Sequence, residues 1–187
     1  MEVYTARLAS FKDQRVKFAS AKRYVKVSWP HPKTFAATPE MLAEAGFYFA
    51  PTFEDRDNAV CFLCEKELSG WEEKDDPFTV HWEKCGDKCA WAVVRCGLGE
   101  DIDRKGNFTF SDPARQPASK VMEKARLSTF NANGWWPHDQ TKGHGASSGK
   151  MAKAGFVYTP QQAGDDTATC FYCHVSLSGW DEDDDPL

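Results

Sequence analysis

Residues 61–89 read CFLCEKELSGWEEKDDPFTVHWEKCGDKC, and how this stretch is read decides the fold. Cys61 and Cys64 form a Cys-x2-Cys pair, a spacing that lets two thiols turn inward from one tight knuckle. Sixteen residues separate Cys64 from His81, and seven separate His81 from Cys89. Three thiolates and one imidazole are a donor set that a tetrahedral zinc ion prefers. Those four donors fill the tetrahedron and leave no position for an activated water, so the zinc would build structure and do no chemistry. Cys85, at the spacing His-x3-Cys, is a rival for the fourth place.

Working outward, Asp76-Pro77 opens a helix that runs through His81 towards Lys84, with Asp76 as cap and Pro77 in the first turn. Upstream, Thr38-Pro39 starts a short helix and Gly46 stops it. Phe47–Phe49, Ala59–Phe62 and Glu67–Trp71 have strand character, with a polar turn at 55–58. Val3, Leu8 and Phe11 give residues 1–11 helical spacing, with Arg7 beside them as a structural arginine for a buried carbonyl or carboxylate. Lys12, Arg15, Lys17, Lys22, Arg23 and Lys26 crowd the next segment, which reads as a solvated loop or helix face or as a partner-binding basic patch.

The pattern then starts again. From residue 151 to 187 the chain repeats itself at an offset of 109 without gaps, with roughly half of the positions identical. Cys170-Phe171-Tyr172-Cys173 matches Cys61-Phe62-Leu63-Cys64, and Leu177–Trp180 matches Leu68–Trp71. Such a period describes two complete domains and not a stacked solenoid. The expected division is 1–96 for the first domain, the polar Gly- and Pro-interrupted stretch 97–120 for a linker, and 121–187 for the second domain. The counterparts of His81 and Cys89 would fall at 190 and 198, so the second copy stops before its closing helix. Either the chain is a fragment or this copy cannot complete its own site. Cys170-x-x-Cys173-His174 also spells a haem attachment string. The repeat argues against haem, because His174 aligns with Glu65.

The chain has 187 residues, 41% hydrophobic and 13% aromatic, which suits folded modules. Its net charge of −5 argues against a module that grips nucleic acid. Met1–Ser10 offers no signal-peptide run, and no window reaches transmembrane length. Four of the seven cysteines stand in Cys-x2-Cys pairs, which favours zinc over disulfides and an intracellular, soluble protein. No grouping of nucleophile, base and orienting residue points to an enzyme. The spacing and acidity also disfavour a nucleic-acid zinc finger.

With these residues in view, the chain resembles the baculoviral inhibitor-of-apoptosis repeat (BIR), a zinc-binding fold of about seventy residues. The shared marks are Arg7-Leu8-x-x-Phe11, Trp29-Pro30, Ala45-Gly46-Phe47, Cys61-x2-Cys64, Trp71-x3-Asp75-Asp76-Pro77, His81 and Cys89-Ala90-Trp91. They cover residues 7–91 and, as an incomplete copy, 126–187. The resemblance implies an α+β fold of a three-stranded antiparallel sheet with short surrounding helices, present twice, and favours Cys89 over Cys85. The His81 to Cys89 gap is one residue longer than the family's usual six.

The insert between Phe11 and Trp29 is similar to that of fungal survivin-like proteins with two such domains. That likeness implies a groove where a peptide N-terminus lies along the third strand by β-augmentation. Carried over, Leu68, Ser69 and Gly70 form the edge, Trp71 a pocket wall, Asp75 the anchor for the free amine, and Lys66 and Lys84 the phosphate contacts. Ser69 stands where survivin-like proteins carry an acidic residue. Trp180 and Asp184 are the counterparts in the second copy, and Cys170 and Cys173 its incomplete metal site. The implied partners are peptide N-termini, a phosphorylated histone tail and chromosomal passenger subunits, with nuclear (chromosome and spindle) and cytoplasmic location. The alternative is an apoptosis inhibitor binding caspases or antagonist peptides. No direct nucleic acid or membrane contact is expected.

Overall fold

A computed structural model of the chain describes residues 1–17, 23–134 and 136–187, so Lys22 of the basic segment lies outside the described residues. Helix α1 (Tyr4–Ser10) is followed by a hairpin of β1 (Gln14–Val16) and β2 (Val25–Val27). Helix α2 (Pro39–Glu44) then leads to a three-stranded antiparallel sheet, β3 (Phe47–Phe49), β4 (Ala59–Cys61) and β5 (Glu67–Leu68), in the order β3-β4-β5. Helices α3 (Pro77–Cys85) and α4 (Ala90–Val94) close the unit.

Local signals explain these boundaries. Thr38 accepts the Met41 N–H through its hydroxyl, and Pro39 occupies the first turn, where its missing N–H costs nothing. Gly46 at φ 101° releases the chain into β3. Asp76 caps α3 by accepting from Thr79 N at 2.8 Å.

The second repeat rebuilds the same parts. Helices α5 (Lys120–Asn131) and α6 (Ser148–Ala154) precede β6 (Val157–Tyr158), β7 (Ala168–Thr169) and β8 (Ser176–Leu177), in the order β6-β7-β8. The two copies agree to the atom. Arg7 Nε donates to Ala43 O at 2.8 Å, and Arg126 Nε to Ala152 O at 2.7 Å. Ser10 Oγ accepts from Phe49 N at 2.8 Å, and Thr129 Oγ1 from Tyr158 N at 3.1 Å. In each copy, therefore, a buried arginine ties the first helix to the second (α2 or α6), and a hydroxyl ties it to the sheet. Arg7 also donates to Met1 O and Glu2 O, and its guanidinium stacks 4.4 Å over Phe62.

Three expectations need correction. The basic segment is strand over part of its described length, holding Arg15 and Lys26, while Lys12, Lys17 and Arg23 lie outside helix and strand. It pairs as an antiparallel hairpin with Gln14 opposite Val27 and Val16 opposite Val25. The hairpin is an insertion between two aromatics that touch in both repeats: Phe11–Trp29 at 5.2 Å and Phe130–Trp136 at 4.9 Å, both edge-on. Second, β5 ends at Leu68 rather than Trp71. Gly70 turns with φ 73°, and Gly70 and Trp71 give their N–H groups to Asp57 instead of to β4. Third, residues 97–120 are folded. A 3-10 turn at Cys96–Asp101, a bridge between Ile102 and Phe108 and a 3-10 turn at Pro113–Arg115 strap them down.

The core of the first unit gathers Leu42, Phe47, Phe49, Ala59, Trp71, Trp91 and Val94, and Met122, Ala125 and Val157 of the second repeat join it. Phe130, Trp136, Met151, Tyr158 and Ala168 form the core of the second. Phe171 of the second knuckle meets Trp91 edge-on at 6.1 Å, and Tyr172 packs on Phe108 at 5.3 Å. A cavity of 390 Å³ lined by Tyr4, Arg7, Trp91, Arg95, Pro160 and Phe171 lies between the repeats.

Candidate metal centre

Four elements converge on one point. Cys61 ends β4, where the sheet buries it completely. The chain then doubles back, with Glu65 N donating to Cys61 O at 3.1 Å and Glu65 in the left-handed region at φ 57°, which brings Cys64 beside Cys61. Helix α3 carries His81, fully buried, and Cys89 stands at the N-cap of α4. The ligand atoms of Cys61, Cys64, His81 and Cys89 all lie within 4.8 Å of one another. Cys85 is buried one helical turn beyond His81 and stands outside this quartet.

The donor set fits zinc on geometry as well as on chemistry. Bonds of about 2.3 Å to sulfur and 2.0–2.1 Å to nitrogen put tetrahedral donors about 3.8 Å (S–S) and 3.6 Å (S–N) apart. Cys61 Sγ and Cys89 Sγ are 3.8 Å apart, as are Cys64 Sγ and His81 Nε2. His81 Nδ1 lies 2.8 Å from Ala45 O, a contact that assigns the proton to Nδ1 and leaves Nε2 free to ligate. Leu63 N points at Cys61 Sγ from 3.4 Å and offsets thiolate charge.

The electrostatics describe a site that gathers negative charge on sulfur. Hydrogen bonds with Cys61 and Cys89 hold the Cys64 thiol far below its ordinary value, and hydrogen bonds with Cys61 and Cys64 push Cys89 far up. Burial works against a charged His81, but its contacts with Cys61, Cys64 and Cys96 outweigh that and push it up to about 12. A divalent cation held by Cys61, Cys64, His81 and Cys89 would take over the role that this proton plays among the sulfurs, and its uptake would release protons.

Two contributors escaped the sequence reading. Cys96 is buried, with its Sγ 3.6 Å from both Ala45 O and His81 Nδ1, so it backs the imidazole from behind. No spacing rule points to it. Asp57 braces the loop beside the metal centre, accepting from Gly70 N at 3.0 Å (Oδ1) and Trp71 N at 2.9 Å (Oδ2), with His31 Nε2 2.8 Å from Oδ2. Asp166 repeats this with Gly179, Trp180 and His138 at 2.7, 2.8 and 2.9 Å. A signal was present: Asp57 and Asp166 correspond at the 109 offset, and a histidine follows Trp-Pro in both copies.

The residues expected to form a peptide groove run from Lys66, just before β5, to Lys84 in α3. Lys66 and Lys84 are exposed, as are Ser69 and Gly70, and Leu68 is half-buried. Ser69 Oγ donates to Asp55 at 3.1 Å. Asp75, half-buried, accepts from Glu72 N at 2.9 Å, and Asp184 does the same for Asp181 N at 2.8 Å. Trp71 is 5% exposed and sits edge-on to Phe47 at 5.8 Å, so it lies mostly inside the core; its counterpart Trp180 is half-buried against Phe156. Strand β5 is the outer strand of its sheet. Because Cys61 N donates to Lys66 O, Lys66 and Leu68 direct their main-chain groups to β4, and by alternation Glu67 and Ser69 direct theirs to the open edge.

In the second repeat Cys170 is half-buried and Cys173 exposed, and His174 at φ 60° is the left-handed residue of the knuckle, as Glu65 is in the first. No third ligand joins Cys170 and Cys173 among the described residues. All seven cysteines are free.

Residues 7–93 and 126–187 match the Inhibitor of Apoptosis domain family, BIR. The chain belongs to the BIR family. The chain is 33% identical over 168 residues to the chromosomal passenger complex protein bir1 of Schizosaccharomyces pombe, covering 87% of this chain and 15% of that protein. It is 29% identical over 183 residues to the death-associated inhibitor of apoptosis 2 of Drosophila melanogaster, covering 96% of this chain and 30% of that one. Over 73 residues it is 46% identical to the baculoviral IAP repeat-containing protein 5 of Mus musculus, 39% of this chain and 51% of the relative. The chain thus spans between about a seventh and half of the length of these relatives. Both BIR regions carry the α+β architecture of small antiparallel sheets and short helices. Among the described residues no helix is long and apolar enough to cross a membrane.

Proposed function

We propose that this BIR protein is a zinc-held peptide-binding module of a survivin-like chromosomal passenger subunit. It reads a phosphorylated histone N-terminal tail and so brings a mitotic kinase complex to chromosomes and spindle for chromosome segregation and cell division. The observation that carries the reading is the outer strand β5, which joins the metal knuckle directly to an open edge; the exposed Lys66 and Lys84 and the half-buried Asp75 support it. Glu67 and Ser69 offer the main-chain pairing, Asp75 anchors a free α-amine, and the two lysines meet a phosphate near the start of the peptide. Gly70 contributes its turn rather than its N–H, which Asp57 holds. The long alignment with a protein named for the chromosomal passenger complex supports this choice of partner and a nuclear place of work.

Zinc held by Cys61, Cys64, His81 and Cys89 is the staple of the first repeat. A unit of this size has too small an apolar core to stand alone. Chelation is expected to abolish the cooperative melting of the first repeat, seen by circular dichroism, and zinc to restore it; a zinc-free protein that melts as before would remove the staple.

The groove is tested by calorimetry with one peptide in three forms: free N-terminus, acetylated, and carrying phosphothreonine near its start. Acetylation is expected to abolish binding and phosphorylation to strengthen it, with Lys84→Glu weakening only the phosphorylated form. Unchanged affinity after acetylation would sink the role of Asp75. Equal loss for both forms in Lys84→Glu would sink the phosphate reading.

A second reading, an inhibitor of apoptosis that docks on caspases or on antagonist N-termini, is favoured by the likeness over 96% of the chain to a death-associated inhibitor of apoptosis. It predicts that an unphosphorylated peptide starting with alanine outcompetes the phosphorylated histone-type peptide in the same assay.

A further inference from the structure

The inserted hairpin is the strongest unexplained surface of the molecule. Residues 12–28 hold six Lys or Arg and one Asp in a chain whose net charge is −5. The pairing register sorts the residues of the two strands by face. Gln14, Val16, Val25 and Val27 share one face, on which Val27 is buried and Val16 packs against the first core. Arg15 and Lys26 are partners on the other face, where Lys17 and Tyr24 follow by alternation, and all four are exposed. Like charges directly opposite one another across a strand pair destabilise it. Asp13, ion-paired with Lys26 and accepting from Ser28 Oγ at 2.5 Å, offsets part of this; Arg15, Lys17 and Arg23 have no ion-pair partner among the described residues. A two-stranded hairpin is marginal by itself, so a repulsion kept in one points to use.

We propose that the outward face of β1–β2, carrying Arg15, Lys17, Tyr24 and Lys26, binds the phosphate backbone of a nucleic acid. Its composition separates this partner from an acidic protein segment. Protein–protein interface cores are apolar and poor in lysine, whereas surfaces that bind nucleic acid are rich in cations and need no apolar centre. The face has cations and one tyrosine and no aliphatic anchor. A two-stranded ribbon also matches the width of a duplex groove. The overall acidity, which argues against nucleic acid for the chain as a whole, conceals this segregation. The chain outside residues 12–28 carries a net negative charge, which disfavours a nucleic acid backbone over most of the remaining surface. The inference is independent of the groove along β5.

The test is fluorescence anisotropy of the full zinc-loaded chain with a labelled 20-base-pair DNA duplex, run between about 50 and 200 mM salt. Weak binding is expected, near the 10⁻⁴–10⁻⁶ M of sequence-independent contacts, with log affinity falling against log salt at a slope of about −3. The double variant Arg15→Glu/Lys17→Glu is expected to lose at least about tenfold and to flatten the slope by about two. If that variant melts differently, Arg15→Gln/Lys17→Gln takes its place, with a smaller loss in the same direction. Lys105→Glu/Lys142→Glu, equally exposed and remote in sequence, is the control and is expected to bind as the parent does. No binding at low salt overturns the proposal. So does equal loss in the control, which would make the effect one of net charge. Displacement of the duplex by a glutamate-rich peptide at matched charge would do the same and assign the face to an acidic protein.

Discussion

The two oxygens of Asp57 are shared among Gly70 N, Trp71 N and the His31 imidazole. Partial burial works against its charge, but the two amides and the histidine together hold its carboxyl below the ordinary value. The sign of the linkage follows. A carboxylate with a lowered folded-state pKa contributes stability that is present above its unfolded pKa of about 3.9 and is lost as pH falls through the folded value. Asp57→Asn keeps the size but replaces one acceptor oxygen with a donor that faces Trp71 N–H or His31. The variant is therefore expected to be less stable than the parent at pH 7, and the gap to close below about pH 4 as the parent takes up its proton. Paired denaturant melts at the two pH values, with zinc in excess for both proteins, read the difference. A gap that does not change with pH would mean that shape and not charge is what Asp57 supplies. The same carboxylate holds the bend that ends β5, so the variant is also expected to weaken peptide binding at the edge.

At the scale of elements, the two helix stops make a controlled comparison. Gly46 and Gly155 end α2 and α6 at φ 101° and 102°, where an L side chain costs about 1–2 kcal/mol. A Cβ on Gly46 would stand 2.7 Å from Cδ1 of Trp91, whereas one on Gly155 would meet only Cys170 Sγ at 3.9 Å. Trp91 is buried and its Nε1 donates to Glu44 O at 3.1 Å, so it cannot yield freely. Gly155→Ala is expected to cost only the backbone term, and Gly46→Ala about 1–3 kcal/mol more from overpacking. Equal losses in thermal melts would show that Trp91 relaxes. The stop at Gly46 was legible in the sequence, as were the helix caps at Thr38 and Asp76 and the spacing that gathers the metal quartet, because each rests on chemistry within a few residues. The β1–β2 hairpin was not legible. Its outward face is charged, its inward face includes Gln14, and neither pattern nor turn residue marks it as strand. Nor was the early end of β5, since the competitor that takes its amides, Asp57, lies on a different loop. Cys96 and the Asp57 brace belong to the same class: they act across space, and only the repeat itself carried a trace of the latter.

At the scale of the molecule, the connection between the repeats decides how they move. Asp101 and Arg115, 3% and 8% exposed, form a buried ion pair in which Nη2 and Nε of Arg115 both donate to Oδ2 of Asp101, at 2.6 and 2.8 Å, and Arg115 stacks 4.6 Å over Trp82 of α3. Arg115 also donates to Val93 O at the end of α4. The stretch 97–120 is therefore tied at both ends to the two helices that carry or follow His81 and Cys89. From there it presents Phe108 and Phe110 to Tyr172 of the second knuckle. Replacing this pair with apolar groups of matching shape would change little, but removing one partner strands a buried charge, at a cost of about 3–5 kcal/mol. Asp101→Ala is expected to lift the strap. Its signature is local: cleavage within 97–120 by trypsin speeds up, at Arg104, Lys105 and Arg115, while zinc stays bound because none of the four ligands is touched. The coupling of the repeats through Tyr172 and Phe171 is expected to loosen with it, so that one melting transition becomes two. The double variant Asp101→Leu/Arg115→Met, which leaves no orphan charge, is expected to recover part of the stability and to restore resistance to cleavage. If Asp101→Ala lost zinc along with the strap, the pair would be a support of the metal centre itself rather than the joint between two BIR units.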